Sequence, residues 1–422
     1  MFEYYAINVI LGVLKVLLVL LPIPLAYIAY IMWHHYVAED FISGIQWQLL
    51  EIQIPQQIVK TPLAMETILA NAFYHKSQKG LWEEYWQGAV HFFFSLEIVS
   101  IEGRVHFYIN TPSRVVPLIK SQIYAQYPQA RVLEVEDYVW SVPRIGRKTG
   151  WSMWGCEWKL EKDDPYPIRT YLDYGLDKVV KDTTEQVDPI VSLVEFLSTI
   201  GPGEHIWTQL IIRWSKKQYG KGLHKWDFYD ECERVLADIV KPYSKENVDP
   251  VTGEVKSREV RPPDYLKDEI TAISDKQHKL CFDCGMRTIY LAKAEVFDQQ
   301  KRRALRMMYR QYNNPVFNSI KRINATQYDS PWEDPFDIVL NVRKNRMLDW
   351  YRFRVFFHPP WQFAFKYPFP LNLFIVTDPP EIFVLNTEEI ATLFHFPPTA
   401  LSTPSIKRVE TRSSKAPTNL PV

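Results

Sequence analysis

The chain has 422 residues, 49 Lys and Arg against 49 Asp and Glu, and 47% hydrophobic and 14% aromatic side chains. Zero net charge argues against a nucleic-acid coat, which needs a local excess of Lys and Arg to release counterions, and the apolar content excludes a disordered chain. The length suits about two or three folded units, and four cysteines are too few for a disulfide scaffold of this size.

From Ile7 to Trp33 the sequence reads INVILGVLKVLLVLLPIPLAYIAYIMW, with Lys15 as its only charge. A bilayer core takes about 20 apolar residues in a helix, so this segment is expected to span a lipid bilayer once. Lys15 would snorkel to the headgroups, Pro22 and Pro24 would kink the helix, and Tyr27, Tyr30 and Trp33 would form an interfacial belt. A cleaved signal peptide fits poorly, because no small-x-small site follows. The expected location is therefore the cell membrane. Read literally, Lys15 places the N-terminus in the cytoplasm.

Past the anchor, elements recur in one order. Ile45–Ile54 alternates as a strand, and Thr61–Tyr74 reads as a helix with Pro62 at its first position behind a Thr61 cap. Phe92–Ser100 and Arg104–Asn110 make a hairpin around Ile101-Glu102-Gly103. Ser113–Tyr127 reads as a helix and Arg131–Val135 as a short strand. This βαββαβ order is that of a ferredoxin-like unit. A second pass follows: strand Trp151–Leu160, helix Asp188–Ile200, strand His205–Trp214, strand Cys281–Ala292, helix Asp298–Tyr312, and a last strand assigned to Glu381–Leu385. Between its hairpin strands lies an insertion, Ser215–Lys279, with two helices and a loop at Asp249–Gly253. The expected fold is thus α+β: a transmembrane helix and two ferredoxin-like repeats, the second carrying a long helical insertion. The boundaries fall at 1–40, 41–145, 146–396 and a Pro/Ser-rich tail at 397–422.

Met347–Pro370 is densely aromatic and rich in proline. It reads as a hairpin covering the core, with a patch touching lipid headgroups as the alternative. Asn386–His395 reads as a short helix opened by an Asn386/Glu389 capping box.

No G-x-x-x-x-G-K-[ST] loop, G-x-G-x-x-G turn or H-E-x-x-H pair occurs, so no nucleotide cradle or zincin site is expected. His278-x-x-Cys281-x-x-Cys284 approaches a metal motif, with Cys232 as a further ligand. A lone C-x-x-C supplies only half of a zinc site, however, and in a strand its cysteines point to opposite faces. No catalytic, cofactor or metal residues are expected. The remaining candidate is basic: Lys301, Arg302, Arg303, Arg306 and Arg310 on one helix, with Lys321, Arg322, Arg343, Lys344 and Arg346 nearby in sequence. Helical spacing aligns 302, 306 and 310; in a chain of zero net charge such a stripe is more often a solvated face, with contact to nucleic acid or anionic lipid as the alternative.

Several segments resemble a known family. Gln53–Glu66, Ser95–Pro112, Lys120–Tyr138, Asp188–Arg213, Phe282–Phe297 and Phe383–Pro397 are similar, in the same order, to the uncharacterised membrane-associated region that precedes the motor in HerA/FtsK-like ATPases of type IV secretion and conjugative transfer. In that family a proline-rich stretch like Thr403–Leu420 leads into a P-loop motor. This chain stops at Val422, so the motor is a separate polypeptide, the gene is split, or the protein works without one. The resemblance implies a cytoplasmic globular part and no known catalytic residue. The resulting expectation is a non-enzymatic docking platform for a separate P-loop ATPase, with homo-oligomerisation natural under a ring motor. Nucleic-acid or lipid binding by residues 301–310 is the alternative.

Overall fold

The structure, a computed structural model, describes residues 11–12, 15, 20–55, 60–76, 79–146, 149–178, 188–221, 224–248, 255–260, 263–327, 334, 338–358, 380–397 and 408–409. The chain divides into two compact units. One is built from Met1–Gln46, Ser77–His91 and Phe357–Ile375, the other from Trp47–Lys76, Phe92–Phe356 and Val376–Val422.

In the smaller unit, α1 (Pro22–Ser43) carries both prolines in its first turn, where a missing N–H costs nothing. This corrects the membrane anchor. Among the described residues no helix is long and apolar enough to cross a membrane. α1, which begins at Pro22, covers the last part of Ile7–Trp33 and continues through His34, His35, Glu39 and Asp40, which dilute its hydropathy. Pro22 and Pro24 open the helix instead of kinking it, Trp33 lies mid-helix, Lys15 is exposed, and Ile7 lies outside the described residues. The single-pass membrane location and the transmembrane part of the fold class fall with this helix. The same unit holds a short helix, Leu81–Tyr85, and Gly88, at φ +64°, brings its backbone so close to Val37 that a Cβ there would lie 2.2 Å from a main-chain atom.

The larger unit is α+β and built on an antiparallel sheet. Its first half runs β1 (Trp47–Pro55), α2 (Leu63–Ile68, extended by a π-turn through Phe73), β2 (Phe94–Ile101), β3 (Arg104–Pro112), α3 (Val116–Gln126) and β4 (Arg131–Val135). Thr61 does not cap α2, which starts at Leu63 with no side-chain cap. The strands lie in the order β4-β1-β3-β2, each pair antiparallel. Glu102 and Gly103 both have positive φ at the β2–β3 turn, the geometry whose twist suits a two-residue hairpin.

The second half repeats this order with β5 (Trp151–Leu160), α4 (Pro189–Ser198) and β6 (Glu204–Trp214). An insertion follows: the hairpin β7 (Tyr219–Lys221) and β8 (His224–Trp226), α5 (Phe228–Val240), the hairpin β9 (Ser244–Val248) and β10 (Val255–Val260), and α6 (Asp264–Gln277). Then come β11 (Cys281–Lys293), α7 (Gln299–Leu305) and β12 (Ile320–Ile323). Strand order is β12-β5-β11-β6. The closing strand of this half is therefore β12, not Glu381–Leu385. Four residues between Asn and Ser-rich turns give too weak a period for sequence reading to find. The two halves fuse where β2 and β6 pair antiparallel, from Phe94–Ile212 to Ile101–His205.

The chain then covers both faces. Helix α8 (Ile338–Arg352) sets Met347, Leu348 and Tyr351 against one face, with Tyr138, Val139 and Val142 beside them. A helix thus stands where Met347–Pro370 reads as a hairpin, and 359–370 lie outside the described residues. On the other face α2, α3, α4 and Leu305 of α7 pack on Leu50, Phe94, Ile98, Phe107, Trp158 and Ile212, each fully buried apolar side chain contributing roughly 1.5–3 kcal/mol. β13 (Phe383–Asn386) pairs with Cys281–Cys284 of β11, beyond the stretch that β5 occupies. It leads into α9 (Thr387–Leu393), where Asn386 and Glu389 form a reciprocal capping box. β14 (Arg408–Val409) pairs parallel with the end of β1.

Candidate functional site

A row of polar side chains crosses the α8-covered face, because strand register aligns them. Glu51 lies opposite Tyr108, Tyr108 opposite Glu97, Glu97 opposite Gln209, Gln209 opposite Arg287, and Arg287 opposite Glu157. The row passes straight through the β2–β6 seam. Glu97, fully buried, accepts hydrogen bonds from Ser95 (2.6 Å), Tyr138 (2.8 Å), Gln209 (3.1 Å) and the Arg354 guanidinium (2.8 Å). Arg354 holds Asp137 at 2.6 Å as well. Further along, the buried pair Arg287–Glu157 closes at 2.6 Å, and Asn324 donates to the second Glu157 oxygen at 2.8 Å. Burying charge is costly unless it is paired and hydrogen-bonded, and here each carboxylate is bound. These groups hold the two halves in register. None of them was singled out in the sequence, although Glu97 inside the apolar run FFFSLEIVSI is the kind of residue that marks a buried polar contact.

The basic residues predicted to share one helix face do not share it. α7 ends at Leu305, and Arg310 falls in a separate 3-10 turn. Lys301 is committed to Glu204, which also accepts from Tyr290. Burial alone would raise the Glu204 carboxyl, but the Gly201 N–H, Lys301 and Tyr290 outweigh it and hold the group below the usual carboxylate range. Arg303 and Arg310 are exposed.

Arg302 and Arg306 are brought instead to Arg322 of β12. Arg322 pairs in register with Trp158, whose side chain belongs to the helix-bearing face, so by strand alternation Arg322 points toward α7. Arg306 donates to Gln327 Oε1 at 2.6 Å, and Trp154 Nε1 donates to the same oxygen at 3.3 Å. Arg302 Nε and Arg322 Nη1 are buried without a hydrogen-bond partner. Among the described residues no carboxylate pairs with Arg302, Arg303 or Arg322. Glu157, next to them in β5, faces the other side and is taken by Arg287. Burial, then the like charges of Arg306, Arg303 and Arg322, hold the Arg302 guanidinium below its ordinary value. Cys156 lies beneath: burial pushes its thiol up, while Arg322 and Arg306 act in the opposite sense.

The cysteines are separated as strand geometry requires. Cys281 packs with Cys232, Phe228, Ile273 and Val384, whereas Cys284 belongs to the helix-face core. His278 is exposed and contacts the Ser274 carbonyl. Among the described residues no three His, Cys, Asp or Glu side chains are grouped to hold a metal ion.

No protein-family model matches this chain. No curated protein matches it either.

Proposed function

We propose that this protein is a docking platform, without chemistry of its own, for a separate P-loop ATPase of the type IV secretion and conjugation kind. The observation that carries this reading is an aromatic cluster on the smaller unit. Trp82 and Trp86 stack with ring centroids 5.2 Å apart, and Trp33 joins Trp86 at 5.8 Å. All three stay exposed, as does Tyr36. Trp and Tyr dominate the energetic centres of protein interfaces, and an exposed apolar patch of this kind marks an interaction site. The family resemblance of the larger unit supplies the class of partner, and the bound state of the sheet's buried carboxylates suits a scaffold better than a reaction centre.

The test is affinity capture of the full-length chain from its native cell, with bound proteins identified. A P-loop translocation ATPase retained by the wild type and lost with Trp82→Ala/Trp86→Ala supports docking. Capture that yields no such ATPase sinks it.

A further inference from the structure

The three-arginine corner goes beyond the docking role and does not depend on it. We propose that Arg302 and Arg322, with Arg306 held behind them by Gln327, bind a phosphate group. Three observations carry this. Guanidinium groups from two different elements, α7 and the edge strand β12, converge where like charges repel; folding does not gather such charges without a compensating anion at little cost. Each of Arg302 and Arg322 also presents a buried N–H with no acceptor among the described residues, and buried donors are rarely left unmet. Both residues nevertheless remain partly open to solvent, so an anion can reach them.

The geometry favours phosphate over a carboxylate. The fork-shaped guanidinium offers parallel donors matched to phosphate oxygens, and two such forks with a third positive charge behind them suit a group of more than one negative charge. The same chemistry is offered by a free phosphate ester and by a nucleic-acid backbone.

The experiment is thermal unfolding of the full-length chain at low ionic strength, with inorganic phosphate titrated against chloride as control. Phosphate is expected to raise the midpoint of the wild type and of Arg310→Gln. Arg302→Gln and Arg322→Gln should each weaken that response at least about tenfold, the loss of one charge-assisted hydrogen bond. Without phosphate these two variants should melt no lower than the wild type, since each removes a like charge and breaks no ion pair. A lower midpoint in both would assign the arginines to the fold and overturn the proposal. So would a phosphate response that is absent, or equal in all four proteins. A single-stranded oligonucleotide then separates the sources. If it competes with phosphate and its binding falls with salt, the group belongs to a nucleic-acid backbone; if it fails to compete while phosphate still binds, the group is that of a small molecule. Either result upholds the site.

Discussion

Arg354 shows how much the molecule invests in single residues. It occupies the left-handed region at φ 52°, an uncommon and costly state for a side chain of this size, and its guanidinium is shared between Glu97 and Asp137. Removing one partner of a buried pair strands the other charge. Arg354→Met is therefore expected to cost about 3–5 kcal/mol, read as a lower urea midpoint, and adding Glu97→Gln should recover part of the loss. A cost under about 1 kcal/mol, typical of an exposed pair, would refute this account. His395 is a second such residue. Burial alone would lower it, but Asp188 at 3.0 Å and the Ala391 carbonyl at 2.8 Å face its two ring nitrogens and leave it raised above its ordinary value. The folded state thus binds the proton more tightly than the unfolded chain. The stabilisation is complete below about pH 6.5 and is lost as pH rises through the folded value. Unfolding free energies from slightly acid to alkaline pH should show this decline in the wild type and not in His395→Gln; parallel profiles would exclude the mechanism.

At the scale of elements, local chemistry was legible where it is dictated by neighbours in sequence. The Glu102-Gly103 turn and the Asn386/Glu389 box each follow from a few adjacent residues. Elements whose ends are set by distant packing were not. α7 stops at Leu305 where Asp298–Tyr312 reads as one helix; turns then carry Met308, Tyr309 and Tyr312 into the core beside Leu305, although their i, i+3, i+4, i+7 spacing is that of a single helical stripe. Gly285 belongs to the same class. Glycine in general weakens a strand, but here the Phe356 ring lies over Gly285 so closely that an added Cβ would sit 2.2 Å from a ring carbon. Gly285→Ala should therefore destabilise by roughly 1–3 kcal/mol, the cost of overpacking, and Phe356→Ala should relieve part of that penalty. If Gly285→Ala is neutral in urea unfolding, the close approach of this covering segment is wrong.

At the scale of the whole chain, the β2–β6 seam is the deciding feature. Eight residue pairs join the halves there, from Phe94–Ile212 to Ile101–His205, and the Glu97–Gln209 hydrogen bond crosses it. Repeats linked by a loop alone would unfold separately. Repeats sharing one sheet and one core should lose β2 and β6 together, so tryptophan fluorescence and far-UV circular dichroism should trace one coincident transition for the larger unit. Two resolved transitions, with β1–β4 protected from hydrogen exchange while β5 and β6 exchange, would show that the seam does not couple them.

The sequence by itself determined the repeated βαββαβ order up to β11, the hairpin turn, the Asn386/Glu389 capping box, and the separation of Cys281 from Cys284, because each depends on periodicity or on residues within one turn of one another. Tertiary structure alone decided the rest. Hydropathy placed a membrane span over Ile7–Trp33, whereas α1 runs from Pro22 to Ser43 and takes in His34, His35, Glu39 and Asp40. Periodicity aligned Arg302, Arg306 and Arg310, but α7 ended early and β12, a strand too short to announce itself, carried Arg322 to the first two. Register across six strands placed Glu51, Glu97, Gln209, Arg287 and Glu157 in one row, and that register depends on pairings such as Glu97 with Gln209 and Glu157 with Arg287, which join distant parts of the chain.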